Sequence, residues 1–426
     1  MLNELIGAKR LILKQFWLVI GSLMHIPGLR AFFDYFYFRL SPIMNIQSYF
    51  DPIAEYLWQK KYPDNSFFKQ IHFFGEEFPD LKGVQIALVG IKENRGLAKV
   101  ESADRGSSEI REKLYDLKKG FGAYRVADLG DLISGEKLSD TYQNMQEVGD
   151  YLMKHQILPI YFGGSHDLDY GQYLSYQKMK KLVSLLTVDA KLDMEEDGPL
   201  ADQHTQEIIL HQPNFLFSSA HLAYQSFLVD PSLINVVEKL YFEHVRLGEL
   251  RSEFKEVEPL IRNADLLSFD LCAIQSADAP GAVNAEPFGL TAEEACQICW
   301  FAGTNEKLSS IGIYGYEPYY DDTVNKTAKV VSVMIWYFLE GFYSRKDSLS
   351  FKSSDYTKYT VSLDTKPSTL VFYKSKRSSK WWMEIPHNET EKFDRVSTVP
   401  CSYADYQMAQ KGEIPERWIN AQIKLL

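Results

Sequence analysis

Continuous apolar runs alternate with amphipathic stretches along this chain from about residue 85 to residue 345. The runs at 84–91, 157–162, 182–188, 266–269 and 308–314 have no polar alternation, which predicts strands buried on both faces. A further strand ends at Val126-Ala127-Asp128-Leu129-Gly130-Asp131. Between them, Tyr142, Met145, Val148, Tyr151 and Leu152 step at helical spacing through 138–155, and 324–342 is a long apolar helix. Ser107 and Ser108 stand near the start of another. Strands alternating with helices imply a parallel sheet with right-handed crossovers.

The pattern changes beyond Ser344. Positions 359–363 and 369–373 alternate like antiparallel strands about a Lys366-Pro367-Ser368 turn, and Pro415 opens a closing helix. The expected architecture is α/β: a three-layer α/β/α unit with a mainly parallel sheet, plus a β-rich C-terminal extension. Its divisions fall at 1–43, an aromatic-rich N-terminal extension; 44–84, a helical cap; 85–345, the α/β domain; and 346–426, a β-hairpin with a C-terminal helix.

Composition narrows the function. A 45% hydrophobic, 24% charged chain is globular, and a net charge of -11 argues against a general nucleic-acid binder. Lys374, Lys376, Arg377 and Lys380 beside Trp381 and Trp382 read as a charged strand edge. Four cysteines make no disulfide framework at this length, and Cys296 and Cys299 continue a helical run. Lys9, Arg10 and Lys14 precede an uncharged run, 15–29, that is short of the ~20 residues needed to span a bilayer. A membrane-surface helix, a cap helix, or sequence upstream of a start at Met44 are the open readings of 1–43, the last favoured. A cytoplasmic location is expected.

Three strand ends carry the chemistry: Gly163-Gly164-Ser165-His166-Asp167, Asp189-Ala190-Lys191-Leu192-Asp193 and Ser268-Phe269-Asp270-Leu271-Cys272. Ligands of open α/β sheets bind beyond the carboxyl ends of the strands, so these side chains point to one site for a hard or borderline divalent ion. Taken singly, His166 reads as a satisfied histidine beside a glycine turn, Asp189 and Asp193 as a helix-start carboxylate and a solvated loop residue, Asp270 as a turn cap, and Cys272 as a small buried apolar residue.

In this order the segments resemble the ureohydrolases: arginase, agmatinase and formimidoylglutamase. Supporting the likeness are Ala87-Leu88-Val89-Gly90-Ile91, the helix start Gly106 to Leu114, Asp128-Leu129-Gly130-Asp131, Ala279-Pro280-Gly281, Glu286 to Thr291, and Tyr316-Glu317-Pro318 with Asp322 and Thr327-Ala328. The resemblance implies hydrolysis of C–N bonds in linear amidines, guanidino or formimino compounds, at a manganese pair. His166, Asp189, Asp193 and Asp270 match all four ligands of the first ion. The two ligands particular to the second are replaced by Lys191 and Cys272, and Gln275-Ser276 replaces an Asp-Pro. One ion per chain is therefore expected, with Lys191 filling the second position and neutralising Asp189 and Asp270. Glu317 matches the carboxylate that pairs with substrate. His204, rather than His211 or His221, is the nearest candidate for a catalytic-loop histidine. The expected partner is a small amidine, not nucleic acid; weak membrane-surface association through 1–43 and a homo-oligomer are compatible. The alternative is a catalytically inactive scaffold with a binding or assembly role. A deacetylase of the related fold needs an Asp-x-His where Lys191 stands.

Overall fold

Strands at β1 (Phe50–Asp51), β2 (His72–Phe73), β3 (Ile86–Ile91), β4 (Val126–Leu132), β5 (Leu158–Phe162), β6 (Val183–Val188), β7 (Leu216–Tyr224), β8 (Glu243–Arg246), β9 (Leu266–Asp270) and β10 (Ser310–Tyr314) form one sheet. The computed structural model describes residues 45–99, 105–179, 181–364, 366–386 and 398–425. The sheet runs β1-β4-β3-β5-β10-β9-β6-β7-β8, with β2 also against β4. Every pairing is parallel except β1 with β4.

All residues of β3, β4, β5, β6, β9 and β10 are buried, as predicted from the apolar runs, and β4 buries Asp128 and Asp131 as well. Helices Gly106–Asp116, Ala292–Gly303 and Lys326–Tyr343 pack together, and Leu138–Lys154 packs on Leu168–Leu174. Thr291 and Glu294 close a capping box at the start of the Ala292–Gly303 helix, which buries Cys296 and Cys299. The 44–84 segment differs from the expected helical cap: its described part holds one short α-helix, Glu55–Gln59, and two 3-10 turns, Ile46–Tyr49 and Phe68–Gln70, and gives β1 and β2 to the sheet. The run 1–43 lies outside the described residues.

The C-terminal extension has its own antiparallel sheet, β11 (Tyr356–Ser362), β12 (Thr369–Ser375), β13 (Trp381–Glu384) and β14 (Thr398–Cys401), in that order. The cluster from Lys374 to Lys380 is therefore not on an edge. β12 is an interior strand, Lys374 lies over the Trp381 ring, and Lys380 Nζ donates to Thr304 O at 2.7 Å. Both tryptophans are buried, Trp381 in the small core beneath and Trp382 against Arg262 and Phe351, so neither offers a stacking surface.

Arg262 joins this sheet to the main domain. Its guanidinium lies 4.4 Å from the Trp382 ring centre, pairs with Glu258, and donates to Trp381 O and Cys401 O at 2.9 and 3.1 Å. Arg262→Ala leaves two buried carbonyls without these donors, so a loss of roughly 2–4 kcal/mol is expected. Urea unfolding reads the loss. Limited proteolysis would show first cuts after residue 345; an unchanged midpoint and digestion pattern would refute the bolt.

Candidate metal centre

Four adjacent strands, β5, β10, β9 and β6, end at the same edge of the sheet and deliver the candidate side chains. In register, Val188 lies beside Phe269, so the residues that follow, Asp189 and Asp270, are neighbours. His166 follows β5 through Gly163 and Gly164, at φ +88° and +77°. A Cβ on Gly163 would sit 2.7 Å from Ile91 O, so glycine permits both the turn and the approach. Asp193 is also left-handed, at φ 48°, a conformation that aspartate tolerates better than most residues.

Three carboxylates converge on one imidazole nitrogen. His166 Nδ1 is 3.0 Å from Asp189 Oδ2, 3.1 Å from Asp193 Oδ2 and 3.2 Å from Asp270 Oδ2. One N–H satisfies one acceptor well, and Asp189 Oδ2 is buried with no hydrogen-bond donor. Burial opposes charge on His166, but Asp270, Asp189 and Asp193 outweigh it and hold the group well above its ordinary pKa. Burial likewise opposes charge on Asp193, but His166 and His204 lower its pKa to about 2. This excess of buried acceptors fits a cation. Ligands at right angles around a small divalent ion at about 2.1 Å stand about 3 Å apart, the spacing seen here. His166, Asp189, Asp193 and His204 could hold a metal ion, as could Asp189, Asp270 and Cys272.

Around Lys191 and Cys272 the contacts differ from the expectation. Lys191 does not reach Asp189 or Asp270 with its ammonium; Nζ pairs with Asp202 Oδ1 at 3.2 Å. Burial opposes its charge, but Asp202 and Asp193 outweigh it and raise its pKa. The residue that meets Asp189 is Cys272. Its Sγ donates to Asp189 Oδ1 at 2.9 Å, beside the Lys191 backbone N–H at 2.9 Å, and its own N–H donates to Asp270 Oδ1 at 2.7 Å. Burial, then Asp189 and Asp270, push the thiol pKa well up, so sulfur keeps its proton. Asp189 and Asp270 thus each turn one oxygen to protein donors and the other to His166. Lys191, Asp202, Cys272, Ala201 and Gly315 wall a cavity of about 20 Å³. Gly315, at φ +83°, leaves no room for a side chain, since its Cβ would lie 2.6 Å from Asp270 Oδ1.

Behind the ligands lies a layer that the sequence reading missed. Asp169, on the first turn of the Leu168–Leu174 helix, accepts from Ser268 Oγ at 3.0 Å, and that oxygen is 2.9 Å from His166 Nε2. The other oxygen of Asp169 is 2.7 Å from His204 Nδ1. His204 is not on a catalytic loop: it begins the His204–Leu210 helix, fully buried, with Nε2 3.0 Å from Asp193 Oδ2. Burial opposes its charge, but Asp169 raises its pKa to about 9. The available signal was the His166-x-x-Asp169 spacing, which sets both side chains on one side of a helix start.

Glu317 is buried just beyond β10. Asn94 Nδ2 lies 3.4 Å from Oε2, and Tyr319 N donates to Oε1 at 3.3 Å. His221 lies on β7, 3.3 Å from Asp189 O, and His211 meets the Tyr170 hydroxyl at 2.9 Å. No helix among the described residues is long and apolar enough to cross a membrane.

The model of the arginase family matches residues 84–340. A formimidoylglutamase of Staphylococcus haemolyticus (strain JCSC1435) is 24% identical over 304 residues, 66% of this chain and 97% of that protein. One from Geobacillus sp. (strain WCH70) is 22% identical over 271 residues, 60% of this chain and 82% of that protein. Among solved structures, the formiminoglutamase of Trypanosoma cruzi with Mn2+ superposes at a TM-score of 0.57 with 19% identity, covering 63% of this chain and all of that one. The Bacillus subtilis formimidoylglutamase does so at 0.59 with 16% identity, covering 68% and 96%. The strand ends, their carboxylates and the family match over 84–340 agree, and this chain belongs to the arginase family.

Proposed function

We propose that this protein is a metal-dependent hydrolase of C–N bonds in linear amidines, working with one divalent ion, manganese or zinc. Formimino compounds of the formimidoylglutamate type are the first substrates to test, given the relatives. The observation that carries the reading is the convergence of Asp189, Asp193 and Asp270 within 3.2 Å of His166 Nδ1. These four residues would hold the ion. A bound ion there supplies Lewis acidity and activates water at neutral pH. The remaining oxygens of Asp189 and Asp270 are engaged by Cys272 and the Lys191 backbone, which supports one ion rather than two. Lys191 stays charged at the cavity wall and is a donor to substrate or leaving group. Glu317, two residues beyond the cavity-lining Gly315, is assigned to orient the amidinium.

Metal analysis of protein purified with added manganese or zinc should give about one ion per chain. A ratio near two, or near zero, would sink the one-ion reading.

A second reading is favoured by the cavity itself. About 20 Å³ admits roughly one water and no amidine, so turnover requires the cavity wall, which includes Leu97, Asp202 and Asn284, to open. If it stays shut, the scaffold serves binding or assembly, with a structural ion. Assay of ammonia, urea or formamide release from formimidoylglutamate, agmatine and arginine separates the two: release of any of them supports the hydrolase, and none with the ion bound supports the scaffold.

A further inference from the structure

We infer that His204 is itself a ligand of the ion, giving a site of two imidazoles and at least two carboxylates that prefers a zinc- or cobalt-class ion over manganese. The inference rests on the one-ion reading above and adds to it a ligand from outside the three strand-end segments. Lys191 removes an imidazole from the Asp189–Asp193 loop; His204, eleven residues beyond Asp193, brings one from another direction.

Three observations carry it. The side-chain donors of His166, Asp189, Asp193 and His204 all lie within 4.8 Å of one another, and all four residues are buried. The two rings stand 4.2 Å apart between centres, with Asp193 Oδ2 3.1 Å from His166 Nδ1 and 3.0 Å from His204 Nε2. Neighbouring ligands of one ion have that separation.

The third observation concerns the opposite side of each ring. A metal-bound histidine commonly gives its other N–H to a carboxylate or another fixed acceptor, which sets the tautomer and aims the lone pair. Here one buried carboxylate lies beside one ring and reaches the other through Ser268. Asp169 lies 2.7 Å from His204 Nδ1 and accepts from Ser268 Oγ at 3.0 Å, and that hydroxyl is 2.9 Å from His166 Nε2. With Ser268 taking the Nε2–H of His166 and Asp169 flanking Nδ1 of His204, Nδ1 of His166 and Nε2 of His204 both face Asp193. A catalytic-loop histidine would not need such fixing, nor complete burial behind the ligands. Asp169 is therefore the positioning residue of both imidazoles. Imidazole in place of oxygen ligands shifts selectivity from manganese toward zinc, cobalt or iron.

The test uses the full chain and Co2+ and Mn2+ alone as probes. X-ray absorption of the Co2+-loaded wild-type protein should count two imidazoles per ion. His204→Gln should leave one, and should weaken Co2+ binding on the order of 100-fold while weakening Mn2+ binding at least tenfold less, so the metal preference narrows. Asp169→Asn should weaken binding of Co2+ by about 10–100-fold with both imidazoles still counted. His211→Gln, a control outside the site, should change neither. A wild-type count of one imidazole overturns the inference even if a substituted protein fails to fold. So does wild-type Co2+ affinity in a folded His204→Gln. Wild-type protein that binds neither ion overturns the one-ion reading as well, and so separates the two failures.

Discussion

Replacing Arg111 by methionine is expected to cost about 3–5 kcal/mol of stability. Arg111 starts as one position in a helix near the head of the α/β domain, and its side chain is entirely buried. Nε and Nη2 pair with the two oxygens of Asp128 at 2.9 and 3.0 Å, Nη2 also reaches Gly130 O at 2.7 Å, and Nη1 pairs with Asp131. The guanidinium lies 5.0 Å from the centre of the Phe162 ring. Methionine keeps much of the volume but leaves Asp128 without its cation and Asp131 with Lys92 alone. Removing one member of a buried ion cluster leaves an uncompensated charge, and that costs more than the pair contributes over an apolar replacement. A triple change that also makes Asp128 and Asp131 apolar should therefore recover part of the loss. Urea denaturation measures both; a single-mutant loss below about 1 kcal/mol would refute the account. The consequence reaches the site, because Phe162 is the last residue of β5 and His166 follows it by one turn.

That cluster illustrates what the sequence disclosed and what it did not. The helix start at Gly106 and the Asp128-Leu129-Gly130-Asp131 strand end were legible as motifs, but not that they are one ion cluster. Pairing between residues 17 and 20 apart in the chain depends on how helix and strand pack, which no local period encodes. The buried strands were legible because a parallel sheet covered on both faces needs unbroken apolar runs. β7 was not: Leu216–Tyr224 mixes serines and a histidine into a partly exposed strand near the sheet's edge, and β1 and β2 are two residues each.

The same division holds at the site. His166, Asp189, Asp193 and Asp270 were legible because each stands at a strand end, and they do meet. The partner of Lys191 was not. A long side chain chooses among carboxylates by where the 195–203 segment runs, and that segment brings Asp202 to it. Cys272 was read as a small apolar filler; its thiol is instead a donor to Asp189. Asp169 escaped, and His204 was read only as a catalytic-loop candidate, because their relation lies across two helices, and only the fold brings 169 beside 204.

Lys191→His combined with Cys272→Asp should raise manganese content from about one to about two ions per chain. Where a second ion would sit, the Cys272 thiol donates to Asp189 Oδ1 and its backbone N–H to Asp270 Oδ1, with the Lys191 ammonium at the wall. The double change replaces a thiol proton donor by a carboxylate and a fixed cation by a neutral imidazole, so the site loses its internal compensation and gains two ligands. Cys272→Asp alone sets a third acid against Asp189 and Asp270, where His166 already serves three carboxylates and Lys191 is held by Asp202, and should destabilise the chain rather than load it. Lys191→His alone frees Asp202 but leaves the thiol on Asp189, and should stay near one ion. The gain should thus be strongly non-additive, as expected for ligands of one ion. Amidine hydrolysis, weak or absent in the wild type, should rise on the order of tenfold or more with the second ion, since two ions share the attacking and leaving groups. Gln275 and Ser276 affect turnover more than loading, because they shape the loop beyond Asp270 rather than supply ligands. A folded double variant that still binds one ion would show that Lys191 and Cys272 do not define the second position. Robust wild-type hydrolysis that the double change abolishes would instead make Lys191 the proton donor of the reaction.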